Sequence, residues 1–583
     1  MQKVISVYIR PFYPRMAVGF AIKVLGTIMD LFLPWILAYM IDNVIPLGDK
    51  RRIVEWGFVM LLCSVVAAIG TVTANRMASK VGSDVTERLR HDLFEKILYL
   101  SNSGTDAWGK PSLIARLTTD TYNVHQAVSR LQRLGVRAPI LLFGGLCMTL
   151  SLDAALAGVL LCMMPLLALI LYVVSKKSIP MYLALQESVD AFVRLVREDI
   201  SGIRVIKALS KTEYESKRFD AINREVVERE RKAGMLMAVT DPSMNLLLNI
   251  GLVLVVIAGA YRVNAGQSEV GKILAFLTYF AIILNAMLSI SKMFVIISKA
   301  IASSDRIVQI LDAEDERDWK ALAQSFAKQE EEKGGKAEGQ ESLALEFRDV
   351  SFSYNGGKPN LSHICFALKK GETLGIIGAT GSGKSTIANL LMRFYDVEEG
   401  QVLVDGVNVK EWDLGELRSR FGVVFQNDSI FENTIFENVR LGRKLTEEQI
   451  QEALLYARAS EFVEKKSGKG QEKLDIKGAN LSGGQKQRVL IARALAARPD
   501  FLILDDSSSA LDYKTDAALR KEIAVHFQDT TTVIIAQRVS SIRHADHILV
   551  LEDGKVIGYG RHESLMRECE LYREIAASQM GEG

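Results

Sequence analysis

Six apolar stretches crowd the first half of this chain, each close to the roughly 20 residues a helix needs to cross a bilayer. They run over Met16–Ile41, Ile53–Ala74, Gly135–Leu152, Ala154–Ser175, Met244–Tyr261 and Ile273–Ile297. In lipid only a helix or a closed barrel satisfies its own backbone, and runs of this length exclude the barrel. The joins at Pro46–Arg52, near Asp153 and at Arg262–Lys272 are short and fall on one side. The N-terminal Lys3, Arg10 and Arg15 predict a cytoplasmic N-terminus, and an even number of spans returns the chain to that side. Lys50, Arg51 and Arg52, in an outer join, run against the charge rule, so the side is decided by the second half of the chain. Met1–Arg15 lacks the small-residue cleavage site of a secretory signal.

The two long inner segments read as helix rather than loop. Val85, Leu89, Leu93, Ile97 and Leu100 recur at helical spacing, and Lys176–Arg231 is polar with periodic apolar residues and few breakers. Structureless loops of that length are rare, so the membrane helices are expected to extend far into the cytoplasm. At Asp318–Ser342 the composition changes to a charged, apolar-poor stretch that includes Lys328–Lys336, the signature of a solvated linker. The expected domains are a membrane region over residues 1–312, a linker over 313–342 and a second folded region over 343–583. Over the whole chain 49% of residues are apolar and 24% charged, a mixture that fits two regions with different solvents. A net charge of +2 gives no nucleic-acid signal. The five scattered cysteines form no C-x-x-C pair, so they suggest neither zinc nor a redox dithiol.

The second half begins with two short strands, Leu343–Phe347 and Val350–Tyr354. A third, Thr373–Ile377, runs into Gly378-Ala379-Thr380-Gly381-Ser382-Gly383-Lys384-Ser385, with Thr386 opening a helix. Strand, glycine-rich loop and helix together bind ATP. The loop amides close around phosphates, Lys384 reaches the β- and γ-phosphates, and Ser385 serves Mg²⁺. Leu481-Ser482-Gly483-Gly484-Gln485 opens a second helix, a second anion-binding terminus in this context; on its own it reads as an ordinary helix cap. Phe501–Leu504 is a buried strand ending in Asp505 and Asp506, and the first carboxylate is placed to serve Mg²⁺.

Taken in that order, these motifs resemble the ATP-binding-cassette superfamily, and the whole chain resembles the bacterial exporter half-transporters. The likeness extends to Arg90–Phe94 and Ser201–Ala208. It implies a six-span α-helical membrane domain with long cytoplasmic extensions, fused to an α/β cassette that uses ATP and Mg²⁺. It implies a multi-pass protein of the cell membrane with both termini cytoplasmic. By the same resemblance Tyr354 stacks on adenine, Gln426 senses Mg²⁺, and Asp512 crosses the interface between two cassettes. Ser482, Gly483, Gly484 and Gln485 act in trans on the partner chain's ATP. Turns near Thr118–Asn123 and Leu209–Tyr214 relay cassette closure.

Two positions depart from the family pattern. Asp506 stands where Glu usually orients the attacking water, and Gln537 where His is usual. A base works only within about 2.6–3.2 Å of its proton donor or through one water, and Asp is one methylene shorter. Gln537 can donate a hydrogen bond but cannot carry charge. The chain therefore resembles the degenerate-site subunit of heterodimeric multidrug exporters: a slow transport ATPase with an intact signature and a competent partner chain. The alternatives are a homodimeric lipid or peptide exporter, or an ATP-gated channel or regulatory subunit. Asp475-Ile476-Lys477-Gly478 differs too, with Ile476 replacing an acidic residue. Lys23, Asp30, Lys292, Asn249 and Asn285, with Tyr279, Phe280 and Met287, suggest a cavity for small amphipathic cations or peptides.

Overall fold

Asp153 ends one apolar helix and starts the next. Its backbone is extended, and its Oδ1 accepts from the amides of Ala155 and Leu156 at 3.0 and 3.3 Å. Its other oxygen accepts from Arg262 Nε at 3.1 Å. Asp42 performs a similar task at Gly271 and Lys272, whose amides reach its two oxygens at 2.6 and 3.0 Å. A side chain at Gly271 would stand 2.6 Å from the Ala38 carbonyl, which is why glycine stands in the first turn of that helix. Two carboxylates thus satisfy free amides at helix starts where the joins are short.

The computed structural model describes residues 2–316, 343–354 and 356–580. Most of the expected linker, including Lys328–Lys336, lies outside the described residues. Contacts divide the chain into two units: Met1–Glu95 with Pro111–Asp312, and Lys96–Lys110 with Ala313–Gly583. The principal helices before the linker are α1 Tyr13–Tyr39, α2 Lys50–Leu98, α3 Asn102–Trp108, α4 Thr121–Leu152, α5 Ala154–Ser201, α6 Thr212–Asn264 and α7 Val270–Leu311. Among the described residues, six helical stretches are long and apolar enough to cross a membrane. With 49, 48 and 53 residues, α2, α5 and α6 each exceed about 70 Å, more than twice a hydrocarbon core of about 30 Å. The inner extensions expected from periodicity are therefore continuous with the spans.

In the first unit α4 packs along α7, and α5 along α6. Small residues permit the closest approaches. At the α1–α2 crossing, a Cβ on Gly26 would lie 3.3 Å from the Ala67 carbonyl, and one on Gly70 would lie 3.4 Å from the Gly26 Cα. Asp120, 2% exposed, accepts from Ser303 Oγ and Arg306 Nε, both at 2.8 Å, and so holds α4 to α7. Tyr279 and Phe280 do not line an open cavity as expected. Tyr279 is fully buried and donates to the Leu31 carbonyl at 2.5 Å, and Phe280 packs against Gly251.

The turn expected near Thr118–Asn123 is also displaced. Arg116–Asp120 is helical and runs directly into α4. The chain breaks earlier: Ser101 caps α3 by accepting from the Gly104 amide at 3.1 Å, and Gly109 adopts a φ of 72°. The signal was the Ser, Gly and Pro cluster at 101–111, which apolar periodicity passes over. The second turn falls at Leu209–Lys211, within the expected stretch.

The second unit holds two sheets. One is antiparallel, in the order β2-β1-β4-β5, from β1 Leu343–Phe352, β2 Leu361–Lys369, β4 Glu399–Val404 and β5 Val407–Asn408. The two short strands read from the sequence are one strand here. Its register shifts between Phe347 and Val350, and Asp349 has a φ of 51°. The other sheet runs β10-β9-β3-β8-β7-β6. Its strands are β3 Thr373–Gly378, β6 Phe421–Val424, β7 Phe501–Asp505, β8 Thr531–Ile535, β9 His547–Glu552 and β10 Lys555–Gly560. β3, β8, β7 and β6 are parallel neighbours, so their carboxyl ends share one edge.

Gly26→Leu should lower the melting temperature of the detergent-solubilised protein by several degrees, because overpacking typically costs about 1–3 kcal/mol. Gly57→Leu is the matched control: a Cβ there meets nothing within 4 Å, and the melting temperature should stay near wild type.

Candidate functional site

The shared edge explains why residues far apart in sequence meet. Lys384 and Ser385 follow β3, Gln537 follows β8, Asp505 ends β7 with Asp506 directly after it, and Gln426 follows β6. Ligands of parallel sheets bind at this carboxyl edge.

The loop Gly378–Gly383 leads into α8, Lys384–Leu391. Gly381 and Gly383 have φ of 88° and 95°, where a side chain is strained. At Gly383 a Cβ would also stand 2.6 Å from Leu361 Cδ2 and 2.7 Å from the Asn360 carbonyl. Lys384 Nζ spans the loop and donates to the carbonyls of Gly378 and Ala379 at 2.9 and 2.7 Å. Burial lowers its pKa, while the charges of Asp505 and Asp506 oppose that shift. Ser382 Oγ is buried with no hydrogen-bond partner, a donor that fits a phosphate oxygen.

Burial raises the Asp505 carboxyl, the neighbouring Asp506 adds to the rise, and the Ser385 hydroxyl and Lys384 oppose it. Hydroxyl and carboxylate together supply the hard oxygen ligands that suit Mg²⁺ beside phosphate. Burial also raises the Asp506 carboxyl, against Lys384, Arg538 and a hydrogen bond from Gln426. Gln537 Nε2 donates to Asp506 Oδ2 at 3.1 Å. The backbone at Asp506 is left-handed (φ 49°), a conformation that Asp tolerates better than most residues. Lys384, Ser385, Asp505, Asp506, Gln426 and Gln537 thus form one constellation.

Tyr354 sits in an aromatic cluster. Its ring is edge-on to Phe352 and to Tyr395, with centroids 4.9 Å away in both cases. Its hydroxyl donates to Thr386 Oγ1 at 3.2 Å and accepts from Asn389 Nδ2 at 3.0 Å. Sequence reasoning missed Asn389 and Tyr395. The first is detectable as the residue one helical turn beyond Thr386. Tyr395 also donates to Asp106 of α3 at 2.5 Å, a pairing that no sequence spacing reveals.

Ser482 caps α9, Gly483–Leu495, in a reciprocal capping box: its Oγ accepts from the Gln485 amide and its own amide donates to Gln485 Oε1. Gly483 and Gly484 lie against Ala510. Asp512 caps α10, Tyr513–His526, accepting from the Thr515 amide at 2.9 Å and its hydroxyl at 2.7 Å. Both elements are well-formed helix starts in their own right. Ile476 is 67% exposed.

Residues 16–287 match the ABC transporter transmembrane region, and residues 361–509 match the ABC transporter ATP-binding family. YfiB, an ABC transporter ATP-binding protein of Bacillus subtilis, is 33% identical over 584 residues, covering 100% of this chain and 99% of the relative. The chain belongs to the ABC transporter family. Its cassette is a transport ATPase, and membrane and ATP-binding regions share one polypeptide, as in a half-transporter. A fatty acid ABC transporter ATP-binding/permease protein of Mycobacterium tuberculosis is 30% identical over 536 residues, 91% of this chain and 83% of the relative. The fold matches a bacterial Atm1-family ABC exporter solved with ATP bound, with a TM-score of 0.78 over 97% of this chain and 98% of that one, at 21% identity.

Tyr354→Ala removes the ring and should weaken binding of a fluorescent ATP analogue about tenfold, the scale of a lost base-stacking contact. Tyr354→Phe removes only the two hydrogen bonds and should keep most of the affinity.

Proposed function

We propose that this chain is one half of an ATP-driven exporter of hydrophobic or amphipathic compounds, working in the cell membrane with the cassette and both termini cytoplasmic. Its own ATP site is the weak one of a pair, and the partner is a second, different half-transporter chain. The Asp506–Gln537 contact supports this reading most directly.

Within this chain's site, Tyr354 stacks on adenine. The loop from Gly378 to Ser385, with Thr386, cradles the phosphates, and Ser382 Oγ donates to one of their oxygens. Ser385, Asp505 and Gln426 hold Mg²⁺, which draws negative charge off the phosphates when bound. Gly381 and Gly383 keep the loop amides turned inward, and Lys384 pairs with the phosphates it spans. The surroundings of Asp506 favour binding over turnover. Its carboxylate is short, burial disfavours its charged form, and the Gln537 amide is spent on it at 3.1 Å. A base for water must be charged and within about 3 Å; here both conditions are weakened together. Ser482, Gly483, Gly484 and Gln485 complete the partner's ATP site, and Asp512 lies at the cassette interface.

A lipid-type substrate is favoured over a peptide by the mycobacterial relative named for fatty acids. A homodimer with two slow sites is the competing assembly.

The purified chain alone should hydrolyse ATP slowly. Asp506→Glu combined with Gln537→His should raise the rate at least tenfold, equivalent to about 1.4 kcal/mol of barrier. The complex carrying a tag on this chain should contain a second polypeptide. A lone chain as fast as the complex from native membranes, or an unchanged rate in the double variant, would sink the weak-site reading.

A further inference from the structure

Positive charge accumulates inside the first unit. Lys23 on α1 is 2% exposed, and the charges of Arg137, Asp30 and Arg133 all act on it. Its Nζ donates to Asn75 Oδ1 at 3.3 Å, a neutral partner. Arg133 and Arg137 lie one turn apart on α4, which packs against α1. Arg137 reaches Asp30 Oδ2 at 3.0 Å. Lys23 and Arg137 thus both face Asp30, and Arg133 adds a third positive charge within reach of Lys23. The Nε atoms of both arginines are buried with no hydrogen-bond partner among the described residues.

Such an arrangement is costly without a further anion. Like charges repel strongly where water is scarce, and buried guanidinium N–H groups left unpaired lose their solvation. Snorkelling to lipid headgroups is the usual fate of basic residues near span ends. It does not describe Lys23, which is enclosed by protein. The side chain of Arg137 remains 41% exposed, so a ligand can reach the cluster.

Position supplies the second half of the case. Arg133 and Arg137 flank the start of the apolar run Gly135–Leu152, and Asn75 directly follows the apolar run Ile53–Ala74. The cluster thus lies where the spans pass into their polar extensions. A ligand head held there has apolar helix surface on one side for a tail. The sign is opposite to the amphipathic cation expected from the sequence.

We propose that Lys23, Arg133 and Arg137 bind the anionic head, carboxylate or phosphate, of an amphipathic substrate whose apolar tail lies along the spans. The proposal rests on the transporter reading above and names its substrate class. Asp30 orients Arg137 and, as the acid bonded within the cluster, weakens the attraction for anions.

The test uses the full chain in phosphatidylcholine nanodiscs at mildly alkaline pH, with a fluorescent long-chain carboxylate, its methyl ester and the corresponding amine as probes. The acid should bind about tenfold more tightly than the ester, the scale of a charge-assisted hydrogen bond. Arg133→Gln with Arg137→Gln should remove that preference while leaving ester binding in place, which also reports an intact fold. Asp30→Asn should tighten acid binding, a gain that misfolding cannot mimic. Equal binding of acid and ester, tightest binding of the amine, or weaker acid binding by Asp30→Asn would overturn the proposal. Displacement of the acid when phosphatidylglycerol replaces part of the lipid supports a phospholipid headgroup as the anion, and retention supports a free acid. ATP-driven movement is measured separately in proteoliposomes with the partner chain. Acid-selective binding without such movement would refute the transporter reading and leave the binding site standing.

Discussion

Everything in the first unit follows from the loss of water around the backbone. A chain in lipid must satisfy its amides and carbonyls within the helix, so the spans are long and uninterrupted, and all the difficulty moves to their ends. Asp153 and Asp42 meet it there by taking up amides at helix starts. The same scarcity of water makes each inner charge conspicuous. Asp120 accepts from Arg306 and Ser303, and the nearby Arg116 adds a second positive charge to its field. Around Lys23, Arg133 and Arg137 the bonded acid is Asp30, and that surplus of positive charge is what an anionic ligand would answer.

Parallel strands govern the second unit in a comparable way. Because β3, β8, β7 and β6 run side by side in one direction, the loops after them must meet at one edge. The phosphate loop, both carboxylates, Gln426 and Gln537 come from those loops. Burial at this edge raises both aspartates and lowers Lys384, so each charged group is held in place by its opposites.

The departures at Asp506 and Gln537 from the residues expected there are small in volume, and they change reach and charge. Replacing Glu and His by shorter or neutral side chains leaves hydrogen-bonding capacity and removes reach and charge. Here the two replacements also bond to each other. The signature helix keeps its cap and its glycines, so that element is structurally whole in this chain.

The sequence by itself determined the architecture and most of the site. Length and hydropathy dictate spans because a bilayer has one thickness, and Gly381, Gly383, Lys384 and Asp505 are legible because phosphate binding tolerates few local geometries. Tertiary structure alone decided the rest. Periodicity cannot show where a helix pauses when Ser101 and Gly109 act through cap geometry, so the first inner turn was misplaced. Nor can it separate Tyr279 as a buried packing residue from a cavity residue, since both are apolar positions on one helix. The charge sign near Lys23 depends on α4 packing against α1, which brings residues more than a hundred positions apart into one field. Electrostatics and hydrogen bonds act through space, and only the fold sets those distances.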